Sequence, residues 1–186
     1  MAAGDESAAR YSRAGLWIKK AELDEAIADY TRVIDAPNGA PVDLVARAFC
    51  NRGYTWGQKG HVPEALADFA RVIEGRAGAS KERIADALAA RGWLYYAHED
   101  ARRFLDDTEA ALRLAPRLES AMYNLGLALL AVGRDADAVL AYRHAAEKPP
   151  QAIETTGLRD LTQAANAWLQ QERAAPFIKL LKSSKK

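Results

Sequence analysis

Asn51-Arg-Gly-Tyr-Thr-Trp-Gly-Gln-Lys-Gly-His-Val-Pro-Glu-Ala-Leu-Ala-Asp-Phe-Ala-Arg-Val-Ile-Glu74 is the stretch that decides the fold. Gly60 is typical of the residue just beyond a helix, and Pro63 suits the first turn of the next one, where its missing N–H is not needed. The apolar residues of that second helix recur at i, i+3, i+4 and i+7, as on a single buried face. Gly53 lies inside the first helix, where glycine costs about 1 kcal/mol relative to alanine, and Ala65 lies opposite it. The stretch therefore predicts two helices packed closely as an antiparallel hairpin.

Three further segments repeat this pattern along the chain. The small residue of the first helix recurs at Ala14, Gly53, Gly92 and Gly126. The first three of these are 39 residues apart, and the fourth follows after 34. The longer spacings imply about five extra residues per repeat, as longer linkers or additional helical turns.

The repeated pattern resembles the tetratricopeptide repeat, which has a small residue and an aromatic in its first helix, a turn glycine, and Ala-x-x-x-aromatic-x-x-small in its second. Here these positions hold Gly53, Trp56, Gly60, Ala65, Phe69 and Val72. The resemblance implies an all-α protein, a right-handed α-solenoid of about four helix-turn-helix hairpins with a C-terminal capping helix. The predicted parts are a repeat domain at 1–174, with repeats at about 7–36, 42–75, 81–116 and 119–149 and the capping helix at about 155–173, followed by a short apolar segment and basic tail at 175–186.

The third repeat departs most from the pattern. Phe104 stands where the other repeats have alanine, and Thr108 stands where they have an aromatic, as if two side chains had exchanged volumes. The turn at 97–100 also lacks a glycine. We therefore expect a local change in helix packing there.

An arginine and an aspartate recur together in the first three repeats. The pairs are Arg13 with Asp29, Arg52 with Asp68, and Arg91 with Asp107. The fourth repeat has Leu125 and Ala141 at these two places, so the charges are present together and absent together. This predicts partly buried Arg–Asp ion pairs; the alternative is coincidence on a solvated face, where ion pairs contribute little.

Composition excludes several classes of function. A net charge of +1 over 186 residues gives no reason to expect binding to nucleic acid or to a membrane surface. The N-terminal sequence does not resemble a signal peptide, and no stretch approaches the roughly 18 apolar residues of a membrane span. The sequence therefore predicts a cytoplasmic protein.

No catalytic or metal-binding constellation is present. His61, His98 and His144 have no partner at metal-ligand spacing. The single cysteine, Cys50, excludes a disulfide framework and is expected to be a buried structural thiol rather than a nucleophile. We expect no enzymatic activity, no cofactor and no metal.

The resemblance also implies where a partner binds, because the first helices of such repeats line a concave groove that receives peptides or partner helices. The positions that map to this groove hold Tyr11, Arg47, Asn51, Tyr54, Gln58, Trp93, Tyr96, Tyr123 and Asn124. Tyrosine, tryptophan and arginine dominate interface hot spots. An alternative for some of them, especially Trp93 and Tyr96, is a place in the core between hairpins.

Some members of the family clamp a terminal carboxylate with basic residues and asparagines. Asn51 matches one such place, but the places for basic residues hold Tyr11, Asp86 and Ala90. Binding by that clamp is therefore not expected. The predicted function is a non-enzymatic scaffold that binds a peptide or helix of a partner protein; the alternative is a structural protein that forms a homodimer through its C-terminal helix and tail.

Overall fold

The fold is all-α throughout the part of the chain that the structure describes. The computed structural model describes residues 3–36, 40–75 and 78–146, together with positions 175, 178 and 179. The helices are α1 (Ala3–Lys19), α2 (Leu23–Ile34), α3 (Val42–Gln58), α4 (Val62–Ile73), α5 (Lys81–Ala97), α6 (Ala101–Leu114), α7 (Glu119–Ala131) and α8 (Asp135–Ala146). The predicted capping helix and nearly all of the predicted tail lie outside the described residues.

Consecutive helices pack against each other. The helix pairs in contact are α1–α2, α2–α3, α3–α4, α6–α7 and α7–α8, and α1 also touches α3. The chain divides into two compact units, Met1–Leu94 and Tyr95–Lys186, and each is described here by itself. Three of the predicted hairpins, α1–α2, α3–α4 and α7–α8, are thus present as packed pairs, and α3–α4 is formed by the stretch that organises the sequence.

Close helix packing explains the glycines inside the first helices. A Cβ atom on Gly53 would lie 3.2 Å from the carbonyl oxygen of Ala65 and 3.1 Å from the ring of Phe69. A Cβ atom on Gly126 would lie 2.6 Å from the ring of Tyr142. The close approach predicted between Gly53 and Ala65 is confirmed, and any larger residue at Gly126 would displace the tyrosine ring.

The second helices bury the same three positions in each hairpin. In α4 these are Ala65, Phe69 and Val72, each at most 1% exposed. The equivalent residues of the other hairpins are equally buried: Ala26, Tyr30 and Val33; Phe104, Thr108 and Ala111; Ala138, Tyr142 and Ala145. The apolar stripe read from the sequence is therefore the core-facing stripe of each helix.

The third hairpin accommodates its exchanged side chains by a different core contact. The ring of Phe104 packs on the ring of Tyr96 with 5.2 Å between centroids. Thr108 is fully buried, and its hydroxyl has no hydrogen-bond partner among the described residues. The exchange therefore leaves a buried polar atom unsatisfied, which costs free energy.

All four hairpins turn with the same backbone geometry. One residue of each turn is left-handed, with φ of +61° at Ala21, +79° at Gly60, +60° at Glu99 and +82° at Gly133. The next residue donates its N–H to a carbonyl five positions earlier, over 2.8 to 3.0 Å: Glu22 to Trp17, His61 to Trp56, Asp100 to Tyr95 and Arg134 to Leu129. This is the usual helix C-cap, in which glycine is the commonest left-handed residue. The turn of the third hairpin keeps this geometry although it has no glycine, because Glu99 adopts the left-handed conformation.

Longer first helices account for most of the 39-residue spacing. Helices α1, α3 and α5 have 17 residues each, whereas α7 has 13. The difference is one N-terminal turn, about 4 residues. Ser80 caps this added turn in α5, as its sequence suggests, by accepting a hydrogen bond from the Arg83 N–H at 3.3 Å.

Two of the three predicted ion pairs are confirmed in the first unit. Arg13 binds both oxygens of Asp29 over 2.6 and 2.7 Å, and Arg52 binds both oxygens of Asp68 over 2.8 and 2.7 Å. Both pairs link the first helix of a hairpin to its second helix. The third pair would join Arg91 of one unit to Asp107 of the other and stays a prediction.

Of the aspartates in these two pairs, Asp29 accepts hydrogen bonds from more side chains. Its side chain is 1% exposed and also accepts bonds from Arg32 at 2.9 Å and from the Trp17 indole N–H at 3.2 Å. The hydrogen bonds from Arg13 lower the pKa of Asp29, against the opposing effect of burial. A depressed pKa means that the charged carboxylate stabilises the fold above its unfolded pKa of about 3.8 and that this stability is lost as pH falls through the folded pKa.

The left-handed turn residues predict that introducing glycine in the first hairpin stabilises the fold and that removing it in the second destabilises it. Ala21→Gly is expected to raise the free energy of unfolding by about 0.5 to 1 kcal/mol, because relief of left-handed strain exceeds the added entropy of the unfolded chain. Gly60→Ala is expected to lower it by about 1 kcal/mol. Urea unfolding measures both changes. Lys20→Gly, beside the left-handed residue, is the control, and equal destabilisation by Ala21→Gly and Lys20→Gly would contradict the assignment.

The network around Asp29 predicts a pH-dependent loss of stability. Asp29→Asn is expected to cost about 1 to 3 kcal/mol at pH 7, a value reduced because Arg13 stays partly solvated. The cost should shrink as pH falls below about 3.8 toward the lower pKa of the folded carboxylate, because the unfolded chain binds a proton in this range before the folded protein does. Chemical denaturation at several pH values measures it. The control, Glu25→Gln, removes an exposed carboxylate of the same helix and should change stability by less than about 0.5 kcal/mol; a cost for Asp29→Asn that is constant down to pH 2.5 would contradict the network.

The unsatisfied hydroxyl predicts a stabilising substitution. Thr108→Val keeps the shape of the side chain and removes the buried polar atom, so it should raise the free energy of unfolding by about 1 kcal/mol. The matched control is Thr55→Val, since Thr55 is equally buried but donates to the carbonyl oxygen of Asn51 at 2.7 Å. That control should be destabilising. Thermal unfolding compares the two, and destabilisation by Thr108→Val would show that its hydroxyl is bonded.

Candidate functional site

Three of the nine predicted binding residues come together in the first unit. Tyr11 of α1 and Asn51 of α3 are joined by a hydrogen bond of 2.8 Å from the amide nitrogen of Asn51 to the tyrosine hydroxyl. The guanidinium carbon of Arg47 lies over the Tyr11 ring, 4.7 Å from its centroid. Arg47 and Asn51 are four residues apart and therefore lie on one face of α3.

Tyr30 of α2 contacts both Tyr11 and Asn51 from the buried side of this cluster. It is 1% exposed, its ring meets that of Tyr11 edge-on at 5.5 Å, and its hydroxyl accepts a second bond from Asn51 at 3.3 Å. Burial raises the pKa of Tyr30, so its hydroxyl stays protonated. The sequence identified Tyr30 only as a core aromatic. The equivalent residue of α4 is Phe69, so the hydroxyl of Tyr30 was the feature that could have indicated a polar role.

Arg47 has no acidic partner within the described residues. The cation–π contact with Tyr11 is its one recorded contact to a side chain, and no carboxylate lies within ion-pair distance. The nearest acid on its face of α3, Asp43, is one helical turn away and pairs with Arg83 at 3.1 Å. Arg83 also pairs with Asp86 at 2.7 Å, so the local acids are engaged elsewhere.

Tyr54 and Gln58 continue the same face of α3. Tyr54 is 48% exposed, and Gln58 is exposed as well. Tyr11, Arg47 and Asn51 are half-buried. We call the surface formed by Tyr11, Arg47, Asn51 and Tyr54 the α1–α3 face; it combines a fixed guanidinium, an amide and an exposed aromatic ring.

The remaining predicted residues lie elsewhere. Trp93 of α5 is half-buried in the first unit. In the second unit Tyr96, Tyr123 and Asn124 are 6%, 3% and 6% exposed. Tyr96 packs on Phe104, and the Tyr123 hydroxyl donates to the Ala145 carbonyl at 3.3 Å. These three side chains therefore offer little surface to a ligand. Tyr96 lies in the core, which is the alternative that the sequence analysis gave for it.

A small apolar cavity in the second unit marks the place of the missing ion pair. It has a volume of about 200 Å³ and lies among α6, α7 and α8, lined by Leu112, Pro116, Met122, Leu125, Ala141 and His144. Leu125 and Ala141 are the residues that stand where the earlier repeats have arginine and aspartate.

Cys50 has the environment of an unreactive thiol. Burial is the main cause that raises its pKa to about 12, and the nucleophilic form of cysteine is the thiolate. Among residues 3–36, 40–75 and 78–146, no group of three or more His, Cys, Asp and Glu side chains is arranged to hold a metal ion. Within the same residues, no helix is long and apolar enough to cross a membrane.

No family model matches the chain, and no curated protein matches it at a significant level.

Proposed function

We propose that the chain is a non-enzymatic protein-interaction scaffold of the tetratricopeptide type, a right-handed solenoid that binds a peptide or helix of a partner protein. The α1–α3 face is part of its binding surface. The observation that carries this proposal is the meeting of Tyr11, Arg47 and Asn51, which were selected from the sequence as groove positions, beside the exposed ring of Tyr54.

The repeated local geometry supports the tetratricopeptide assignment. The hairpins share a left-handed turn residue and the same turn hydrogen bond. Close packing at Gly53 and Gly126 occupies the small-residue position of the repeat. Such repeats expose their first helices for binding because the second helices and the neighbouring hairpins bury the other faces.

The chemistry of the α1–α3 face supports binding rather than catalysis. Arginine and tyrosine are hot-spot residues, and here their side chains are held in place before a ligand arrives. Cys50 is kept protonated by burial, so the thiol is a poor nucleophile. We therefore propose no enzymatic role, cofactor or metal, and protein rather than nucleic acid or membrane as the partner; the cytoplasmic location stays a prediction.

The alternative of self-assembly involves the capping helix and tail. Those segments, 155–173 and 175–186, lie almost entirely outside the described residues. Dimerisation through them therefore stays a prediction, and light scattering of the full chain and of a chain ending at residue 175 would test it.

The proposal is tested by selecting binders from a displayed library of random 12-residue peptides on the full chain. Selected peptides are then measured against Tyr54→Ala by fluorescence polarisation. We expect affinity to fall by about 10-fold or more, because an exposed tyrosine on a binding face is a typical hot spot.

Leu16→Ala is the matched control for this experiment. Leu16 of α1 is 56% exposed and lies about 140° around the helix from Tyr11, so its loss should leave affinity unchanged. Circular dichroism would verify that both variants keep their helicity. Failure to select any peptide, or equal binding by wild type and Tyr54→Ala, would contradict the proposed binding surface.

A further inference from the structure

Arg47 is an exception among the half-buried arginines of the first unit. Arg52 and Arg83 each pair with a carboxylate, at 2.7 Å to Asp68 and 3.1 Å to Asp43. Among the described residues Arg47 has no such pair, although it is half-buried. A guanidinium that has lost part of its hydration gains from a carboxylate, because its planar fork matches the two oxygens.

The nearest acid to Arg47 along α3 is already paired with another arginine. Asp43 is four residues earlier on α3, the spacing at which helix ion pairs usually form. It is instead bound by Arg83, which also holds Asp86. The donor groups of Arg47 are therefore left for a group that does not belong to the described chain.

The orientation of Arg47 is fixed in advance. Its guanidinium stacks on Tyr11, whose hydroxyl accepts a bond from Asn51, and Asn51 also bonds the buried Tyr30. Fixing a side chain before binding reduces the entropy lost when the ligand arrives. An aromatic ring offers no carboxylate or carbonyl acceptor, and among the described residues the N–H donors of Arg47 make no side-chain hydrogen bond.

Asn51 offers a second contact of a different kind. Its amide nitrogen donates to the two tyrosine hydroxyls, and its amide oxygen accepts no hydrogen bond from the side chains of the described residues. A side-chain amide has both donor and acceptor groups. A peptide group of an extended ligand can bind this amide oxygen, while the exposed ring of Tyr54 covers an apolar side chain.

We propose that the α1–α3 face binds an extended peptide with a carboxylate side chain, Asp or Glu, which pairs with Arg47. This inference rests on the proposed peptide-binding function and specifies its ligand. A phosphorylated peptide fits less well, because phosphate sites usually combine several arginines, and here Asp43 and Asp86 share Arg83 close to Arg47. Those two carboxylates disfavour a doubly charged anion more than a singly charged one.

The test is a double-mutant cycle on peptides selected from the random library. We expect the selected peptides to share an acidic residue at one position. Replacing it with its amide should weaken binding to wild type by about 10-fold or more, the range of a hydrogen-bonded charge. Arg47→Gln should weaken the acidic peptide by a similar factor, and the combined change should add little, because both changes remove one contact.

Two further variants separate charge from geometry. Arg71→Gln is the matched control, because Arg71 lies exposed on α4 with no recorded partner and its replacement changes the net charge equally; affinity should stay at the wild-type value. Arg47→Lys keeps the charge but loses the fork and the stacking plane, so it should recover only part of the affinity lost in Arg47→Gln.

The outcomes distinguish this inference from the proposed function. Peptides that depend on Tyr54 but share no acidic residue, or whose acidic residue is uncoupled from Arg47, would overturn the inference and leave the scaffold function standing. Stronger binding when phosphoserine replaces the acidic residue would overturn the choice of a carboxylate. Failure to select any peptide would overturn both proposals.

Discussion

Close contact between the two helices of a hairpin is the constraint on which the rest of the structure depends. At Gly53 the backbone of α3 approaches the carbonyl oxygen of Ala65 and the ring of Phe69 so closely that even a Cβ atom is crowded. This contact needs a small residue, Gly53, on the first helix, and a small residue followed by an aromatic, Ala65 and Phe69, on the second. It also requires a turn of only a few residues. Burial of the aromatic ring drives the packing, while glycine removes the steric barrier to it.

The Arg–Asp pairs add direction to this packing. Apolar contacts tolerate sliding, whereas a two-pronged guanidinium–carboxylate pair is satisfied in one alignment of the helices. Arg13–Asp29 and Arg52–Asp68 connect the first and second helices of successive hairpins at the same register. In the fourth hairpin Leu125 and Ala141 replace the pair and line a small apolar cavity. There the packing of neighbouring helices must set the register without an ion pair.

The α1–α3 face arises because this register brings α1 beside α3. Tyr11 and Asn51 are 40 residues apart in the chain. Tyr30, a buried residue of α2, contacts both of them. The pairing of Asp43 with Arg83 then leaves Arg47 stacked on an aromatic ring instead of engaged with an acid. Among the described residues, the arrangement of a few charges thus does two things. It forms the Arg–Asp pairs that position the helices, and it leaves Arg47 without an acidic partner.

The sequence by itself determined the helical hairpins, their buried stripe and the Arg13–Asp29 and Arg52–Asp68 pairs, because these depend on spacing within one or two helices. Tertiary structure decided which groove candidates meet. Tyr11, Arg47 and Asn51 converge, whereas Tyr96, Tyr123 and Asn124 are buried, and exposure depends on neighbouring helices that periodicity within one helix does not identify. The left-handed conformations of Ala21 and Glu99 were likewise decided by the packing of whole hairpins, which outweighs a local preference of about 1 kcal/mol.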